Sequence, residues 1–260
     1  PLPGLWLLNL DSCRYDTNEA DNSPRISGEY GAQRLAWIEA MLIRSKKEGK
    51  AVIAAAHHGF MEHYATQKRF YGDYVVDDYR DISRLLAAYH VPAAFTGHFH
   101  AQDNTVTNFA GGNAHYDIET GSLVTYPCPY RWVQIDDAGC MHIRSHAIER
   151  TARHGDGFHD YARQYVLDGI AGMALDTLDN LHVGKSDAQK LSPQIAKAFV
   201  AHYGGDERAP LNADVLDTKG TGLMAKLVAF NRRPLIEGLW KDLAPADNDL
   251  VIDLVSGRTK

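Results

Sequence analysis

The sequence has few residues that could crosslink it, anchor it in a membrane or coat nucleic acid. Its three cysteines, Cys13, Cys128 and Cys140, are too few and too scattered for a disulfide framework or a cysteine zinc site. No apolar run approaches the ~20 residues that a membrane-spanning helix needs. Lys and Arg number 27 against 33 Asp and Glu, so no nucleic-acid-coating surface is expected. Any binding of phosphate must therefore be local.

Residues 5 to 150 alternate between strand and helix patterns. LWLLNLDS, KAVIAAAHHG and VPAAFTGHFH are short continuous apolar runs, which are typical of strands covered on both faces. RLAWIEAMLIRSKKEG and DDYRDISRLLAAYHV lie between them and carry apolar residues at helical spacing. This order predicts an α/β domain. DIETGSLVTYP, YRWVQID and MHIRSHAIE then indicate an antiparallel finish, with a hairpin turn at DDAGC.

The rest of the chain has the pattern of helices. HGDG, at residues 154 to 157, is the expected linker between a domain at 1–153 and a small helical domain at 158–260. One helical stripe includes Leu167 and Leu181, and Ser192 with Pro193 is expected to open a second helix that Gly204 and Gly205 close. A third helix is predicted over roughly residues 221 to 231.

Three histidines follow predicted strands in turns that contain glycine: His57, His98 and His100. If the third strand stays extended, His98 and His100 share a face with Cα atoms ~6.5 Å apart, which suits two neighbouring metal ions. Neutral imidazole is a common ligand of zinc, iron and manganese. His58 points the opposite way and is expected to support the site. Nine other histidines are expected to be structural or solvent-facing: His63, His90, His115, His142, His146, His154, His159, His182 and His202.

VIAAAHHG followed by FTGHFH, and preceded by LNLDS and the helix GAQRLAWIEAML, resembles the second half of the calcineurin-like metallophosphoesterases over about residues 5 to 149. The resemblance implies the second half of a two-sheet sandwich, followed by the helical domain. It implies that His57 and His98 bind one metal ion and His100 another, with Mn²⁺, Fe or Zn²⁺ as candidates. Two such ions, about 3.5 to 4 Å apart, would clamp a phosphoryl oxygen and activate a bridging hydroxide for phosphoester hydrolysis.

The motifs of the family's first half are missing from this sequence: Asp-x-His, Gly-Asp-x-x-Asp and Gly-Asn-His-Asp/Glu. GDYVVDD and GGNAHYD do not match them in order or spacing. The expectation is that this chain is the carboxy-terminal portion of a longer enzyme and is inactive alone, with the bridging aspartate and the acid histidine in the other half. Because an isolated half would expose apolar surface, it is expected to associate with the missing half or with itself.

The helical region more loosely resembles the extra domain of some bacterial members that act on cyclic nucleotides or related phosphodiesters, which implies a phosphodiester substrate. Tyr64 and Arg131 are candidates for contact with the phosphate, with surface packing or a salt bridge as the alternative for each. Asp103 is a candidate hydrogen-bond partner of a ligand imidazole. Two alternative functions stay open: a non-catalytic metal-binding or interaction module, and a mononuclear zinc hydrolase with three histidine ligands.

Overall fold

The computed structural model describes residues 4–15, 18–109, 112–210 and 215–260, which form two β-sheets and seven α-helices. The first sheet has the order β1-β2-β3-β5-β4, in which only β4 runs antiparallel to its neighbour. Its strands are β1 (Leu5–Leu10), β2 (Ala51–Ala56), β3 (Ala93–Thr96), β4 (Asp103–Asn108) and β5 (Ala114–Glu119). The second sheet is antiparallel and contains β6 (Pro129–Ile135), β7 (Cys140–Ala147), β8 (Asp249–Asp253) and β9 (Arg258–Thr259).

Two helices between the parallel strands cover one face of the first sheet, α2 (Ala32–Lys47) and α4 (Tyr79–Ala88). The same connections contain the short helices α1 (Asn18–Asp21) and α3 (Gln67–Phe70) and a single 3₁₀ turn at Gly72–Tyr74. In α2, Ile38 and Leu42 recur at helical spacing and are buried, and Leu86 of α4 is buried in the same cluster. These residues pack against Val52 and Ala54 of β2. The predicted helices over these two segments are therefore confirmed.

The two sheets pack against each other through a second apolar cluster. Ile53 and Ile118 of the first sheet lie in it with Ile143 and Ile252 of the second, and all are at most 5% exposed. The chain is thus a mixed α/β protein with two sheets, as the sequence predicted. One boundary differs: residues 249 to 259 were expected to be helical, but they form strands that extend the second sheet beside β7.

The helical region consists of α5 (Phe158–Asn180), α6 (Lys185–Gly204) and α7 (Leu223–Leu239). The prediction that Pro193 opens a helix was wrong, because Pro193 lies inside α6. Proline removes one helical hydrogen bond at a cost of ~3 kcal/mol, and the burial of Leu191 and Ala196 on either side offsets this cost. None of the described helices has the length and hydrophobicity to span a membrane.

Candidate metal centre at the ends of parallel strands

A cluster of imidazoles lies beyond the carboxyl ends of β2 and β3. His57 and His58 follow the last residue of β2, and the parallel register pairs Ala54 with Ala94, so the two strands end side by side. The ring centroid of His98 lies 4.5 Å from that of His57 and 4.5 Å from that of His58. The pairing of parallel strands therefore brings together residues that are about 40 positions apart in the sequence.

The backbone at His98 and His100 is not the extended strand assumed from the sequence. β3 ends at Thr96, and the φ angles of His98 and His100 are 78° and 68°, in the left-handed region. The argument that alternate strand residues share a face was therefore wrong for this pair. Left-handed backbone at a residue other than glycine costs ~1–3 kcal/mol and is concentrated at functional sites. The two histidines are held by a loop that the surrounding structure must stabilise.

The backbone carbonyl of Ile26 fixes the tautomers of two of these histidines. It lies 2.8 Å from Nε2 of His58 and 3.0 Å from Nε2 of His98. Because a carbonyl oxygen only accepts, both Nε2 atoms carry the proton and both Nδ1 atoms carry a lone pair. Ser12 donates to Nδ1 of His58 at 2.7 Å, so the buried His58 has both nitrogens paired. The Nδ1 lone pair of His98 remains available to a ligand.

Burial and neighbouring imidazoles lower the pKa values of His98 and His100. Burial, followed by the neighbouring His58 and His57, lowers the pKa of His98 to about 4. Burial and the proximity of His57 also lower the pKa of His100, whose Nδ1 lies 3.2 Å from the hydroxyl of Thr125. Neutral imidazole is the form that binds metal ions. The lowered pKa values of His98 and His100 therefore favour their neutral, metal-binding form.

Two buried acidic side chains on β5 hold the loops that carry the histidines. Glu119 accepts a hydrogen bond at 2.8 Å from the backbone N–H of Phe99, the residue between His98 and His100. Asp117 accepts from the backbone N–H groups of Phe60 and Met61, just beyond His57 and His58. Asp117 also accepts from the hydroxyl of Thr96 at the end of β3. One strand therefore positions both histidine loops.

His63 lies beneath the cluster and joins these carboxylates. Its Nδ1 donates to Asp103 at 2.7 Å, and its Nε2 lies 3.3 Å from Asp117 and 3.8 Å from Glu119. Burial opposes protonation, but the charges of Asp117 and Asp103 raise the pKa of His63 well above its ordinary value. Asp103 was predicted to support a metal-binding imidazole; its imidazole partner is instead His63, to which the sequence analysis gave no function.

A second buried cluster lies next to the first. Asp103, His202 and Glu207 each place one possible ligand atom within 4.8 Å of the others, and Asp206, Asp242 and Asp247 do the same nearby. Nδ1 of His202 contacts the carboxylate of Glu207 and lies 3.7 Å from Asp103. Burial lowers the pKa of His202, but these carboxylates raise it overall. A protonated His202 satisfies the neighbouring carboxylates, so we interpret Asp103, His202 and Glu207 as an ion-pair network.

The two residues predicted to contact phosphate, Tyr64 and Arg131, both make contacts within the protein. Tyr64 is fully buried, and its ring lies 5.5 Å from that of Phe99 and 4.9 Å from that of His202. The guanidinium of Arg131 donates to the backbone carbonyls of Asp247 at 2.6 Å and Glu119 at 2.7 Å. Tyr64 is therefore packed in the interior rather than on the surface, and Arg131 is bonded to two backbone carbonyls rather than to a carboxylate.

The sequence does carry a signal for the supporting residues that were missed. His115, Asp117 and Glu119 alternate along β5 and are at most 1% exposed. Side chains two residues apart on a strand share a face, so AHYDIE places three polar groups on one side of a buried strand. Buried polar groups need partners. That pattern, beside a histidine cluster, could have identified the network.

No protein-family model and no curated protein sequence matches the chain. Among solved structures, it is similar to a dimetal phosphatase from Danio rerio at 17% identity and a TM-score of 0.37, covering 46% of this chain and 36% of that one. It is also similar to a purple acid phosphatase from yellow lupin seeds at 14% identity and a TM-score of 0.31, covering 46% of this chain and 26% of that one. The chain thus spans little more than a third of these proteins at most.

Proposed function

We propose that this chain supplies part of the metal centre of a phosphoesterase, in which His57 and His98 bind one metal ion and His100 binds a second. The observation that carries the proposal is the convergence of imidazoles at the ends of β2 and β3, with a ring separation of 4.5 Å between His57 and His98. Left-handed backbone at both His98 and His100 adds weight, because such strain is retained where it serves a site.

The donor set fits a transition-metal ion. The lone pair on Nδ1 of His98 is free because Ile26 binds the other nitrogen, and the side chains of His57 and His100 are exposed. The carbonyl of Ile26 orients the ring of His98 as a supporting partner does in metal sites. Imidazole nitrogens suit Mn²⁺, Fe and Zn²⁺, and two such ions supply Lewis-acid polarisation of a phosphoryl oxygen and an activated water.

The remaining ligands are proposed to come from a further polypeptide segment, the amino-terminal half of the same protein. Among the described residues, neither group of three or more potential metal ligands contains His57, His98 or His100, so we propose that a bridging carboxylate comes from this further segment. β1 and β6 end their respective sheets, and they expose Leu7 by 64% and Trp132 by 66%. Open strand edges with exposed apolar side chains are ready to pair with another segment or with a second copy of the chain.

The test begins with metal binding by the chain itself. Titration with Mn²⁺ and Zn²⁺, followed by calorimetry, is expected to show saturable binding that His98→Ala weakens by at least the ~10–100-fold that loss of a supporting group costs. His146→Ala is the control, because His146 is exposed on β7 and stacks on Tyr130. Equal affinity in the His98→Ala variant and in the unmodified chain would reject the proposed ligands.

Hydrolysis is then measured on the chain joined to its amino-terminal half. Manganese-dependent cleavage of bis-p-nitrophenyl phosphate that is lost in His98→Ala supports a phosphodiesterase. Preference for the monoester would instead indicate a phosphomonoesterase. One tightly held zinc ion, with no second site, would indicate the mononuclear zinc hydrolase. Metal binding without hydrolysis of either ester would indicate a non-catalytic metal-binding module.

A further inference from the structure

A cavity of about 360 Å³ opens directly beside the histidine loop. His98, Phe99 and His100 line one end, and the three long helices enclose the rest, with Ala174 on α5 and Leu235 on α7 among the lining residues. Its volume lies at the small end of the ~300–1,000 Å³ typical of ligand pockets. The helical region therefore forms a chamber that adjoins the candidate metal centre.

The chamber is mainly apolar, although three tyrosines and Thr177 also line it. Its walls include Ile170, Phe199 and Ile236, and the described lining residues include no carboxylate. The ring of Tyr74 lies 4.6 Å from that of His98, between the metal-binding end and the apolar part. Arg232 also lines the cavity.

Arg232 is the one described lining residue that carries a permanent charge, and its guanidinium lies 5.4 Å from the ring centroid of Phe70. Burial raises the pKa of Tyr71, and the nearby guanidinium of Arg232 opposes that rise. Tyr71 in turn packs against Tyr74, at 5.9 Å between ring centroids. Arg232, Tyr71, Tyr74 and His98 therefore form a continuous series from a cation to the imidazole cluster. A ligand with an anionic head and an apolar tail matches this distribution of charge.

We propose that this cavity binds the apolar group of a phosphoester substrate, an alkyl chain of medium length, while the phosphate lies at His98 and His100. The inference rests on the proposed function, because it assigns the phosphate to the same histidines. A nucleoside is disfavoured, because most of the walls are apolar and would leave polar groups of its sugar and base without hydrogen-bond partners. Each unpaired buried polar group costs ~1–3 kcal/mol. An alkyl chain loses nothing on entering and gains from leaving water.

The experiment is a calorimetric titration of the chain, with Mn²⁺ present, by butyl, hexyl and octyl phosphate, with inorganic phosphate and adenosine monophosphate as references. Each methylene that is fully buried is expected to lower Kd about fourfold, so octyl phosphate should bind on the order of 100-fold more tightly than butyl phosphate. Ala174→Phe, which fills the cavity, should remove most of this increment. Ala40→Phe, the same change at an exposed position of α2, should preserve it.

Two further variants keep the test decisive if Ala174→Phe disturbs folding. Met173 lines the cavity but is 59% exposed, so Met173→Trp should fill the cavity from its rim and flatten the dependence on chain length. Arg232→Met should weaken octyl phosphate and leave octanol unchanged. Equal affinity for butyl and octyl phosphate, or tighter binding of adenosine monophosphate than of octyl phosphate, would overturn the inference.

Failure of the proposed function gives a different result. If the histidines bind neither metal nor phosphate, His98→Ala will leave all affinities unchanged, while the dependence on chain length persists and disappears in Met173→Trp. If only the cavity inference is wrong, His98→Ala will weaken every phosphate ligand by the same factor, and chain length will have no effect in either protein.

Discussion

Replacing Glu119 by glutamine tests whether a buried, protonated carboxyl group holds the loop between His98 and His100. Glu119 is 1% exposed and accepts the backbone N–H of Phe99. Burial raises its pKa from 4.5 to about 8, with Asp103 and Asp117 adding to the rise and His63 and His202 opposing it. Glutamine has the shape of protonated glutamate and keeps the acceptor for Phe99. The substitution should therefore remove the titration and leave the hydrogen bond in place.

The sign and size of the effect follow from proton linkage. The folded state holds the proton more tightly than the unfolded state, so stability is lost as pH rises from about 4.5 to about 8. At pH 7, the interval above the unfolded pKa is 7 − 4.5 = 2.5 units, and each unit corresponds to about 1.36 kcal/mol. Glu119→Gln is therefore expected to be about 3 kcal/mol more stable than the unmodified chain at neutral pH, and nearly equal to it at about pH 4.5.

Urea unfolding followed by circular dichroism, at several pH values between about 4.5 and 9, measures this difference. Asp117→Asn is the matched control on the same strand. Burial alone would raise the pKa of Asp117, but His63, Thr96 and the N–H of Phe60 lower it overall. Its contribution is present above the unfolded pKa of 3.8 and is lost as pH falls, so Asp117→Asn should destabilise the protein at neutral pH. A constant difference between Glu119→Gln and the unmodified chain at every pH would refute the reasoning.

Two substitutions test the packing that supports the site. A Cβ atom at Gly28 would lie 2.5 Å from Nδ1 of His58, so Gly28→Ala should lower the free energy of unfolding by ~1–3 kcal/mol. Gly31→Ala is the control, because a Cβ atom there would have no neighbour within 4 Å, and it should change this free energy little. Equal shifts of the thermal melting temperature in the two variants would contradict the contact with His58. Ile118→Ala should lower the free energy of chemical unfolding by ~2–5 kcal/mol, because Ile118 is fully buried between the two sheets. The metal affinity of the folded chain should not change. Weakened metal binding would show that the core between the sheets and the histidine loops are coupled.

The parts of the fold that the sequence revealed are those with continuous local patterns. β1, β2 and β3 lie in mainly apolar runs, and α2 and α4 carry apolar residues at helical spacing. Each of these elements can therefore be predicted from its own short segment of sequence. β8 was missed because its partner β7 lies about 100 residues earlier, and a short segment such as DLVID gains its structure from that pairing. Local propensity cannot specify which distant strand a segment will join.

The site was predictable in position and not in conformation. Strand ends indicated where His57, His98 and His100 would lie, because parallel strands present their carboxyl ends at one edge of a sheet. The left-handed backbone at His98 and His100 depends on Glu119, which the sequence separates from Phe99 by 20 positions. The role of His63 likewise depends on carboxylates from two other strands. Those contacts exist only after the sheet has assembled.

The loop that carries His98 and His100 joins the sheet to the helices. Its two left-handed residues together cost ~2–6 kcal/mol, which one hydrogen bond from Phe99 to Glu119, worth ~1 kcal/mol or more, does not offset. The side chain of Phe99 is 4% exposed and packs with Phe199 and Leu235, and burial of such a ring stabilises by ~2–3 kcal/mol. The helices thus contribute to the loop conformation as well as to the walls of the adjoining cavity. Filling that cavity with an apolar ligand should therefore further stabilise the loop conformation at His98 and His100.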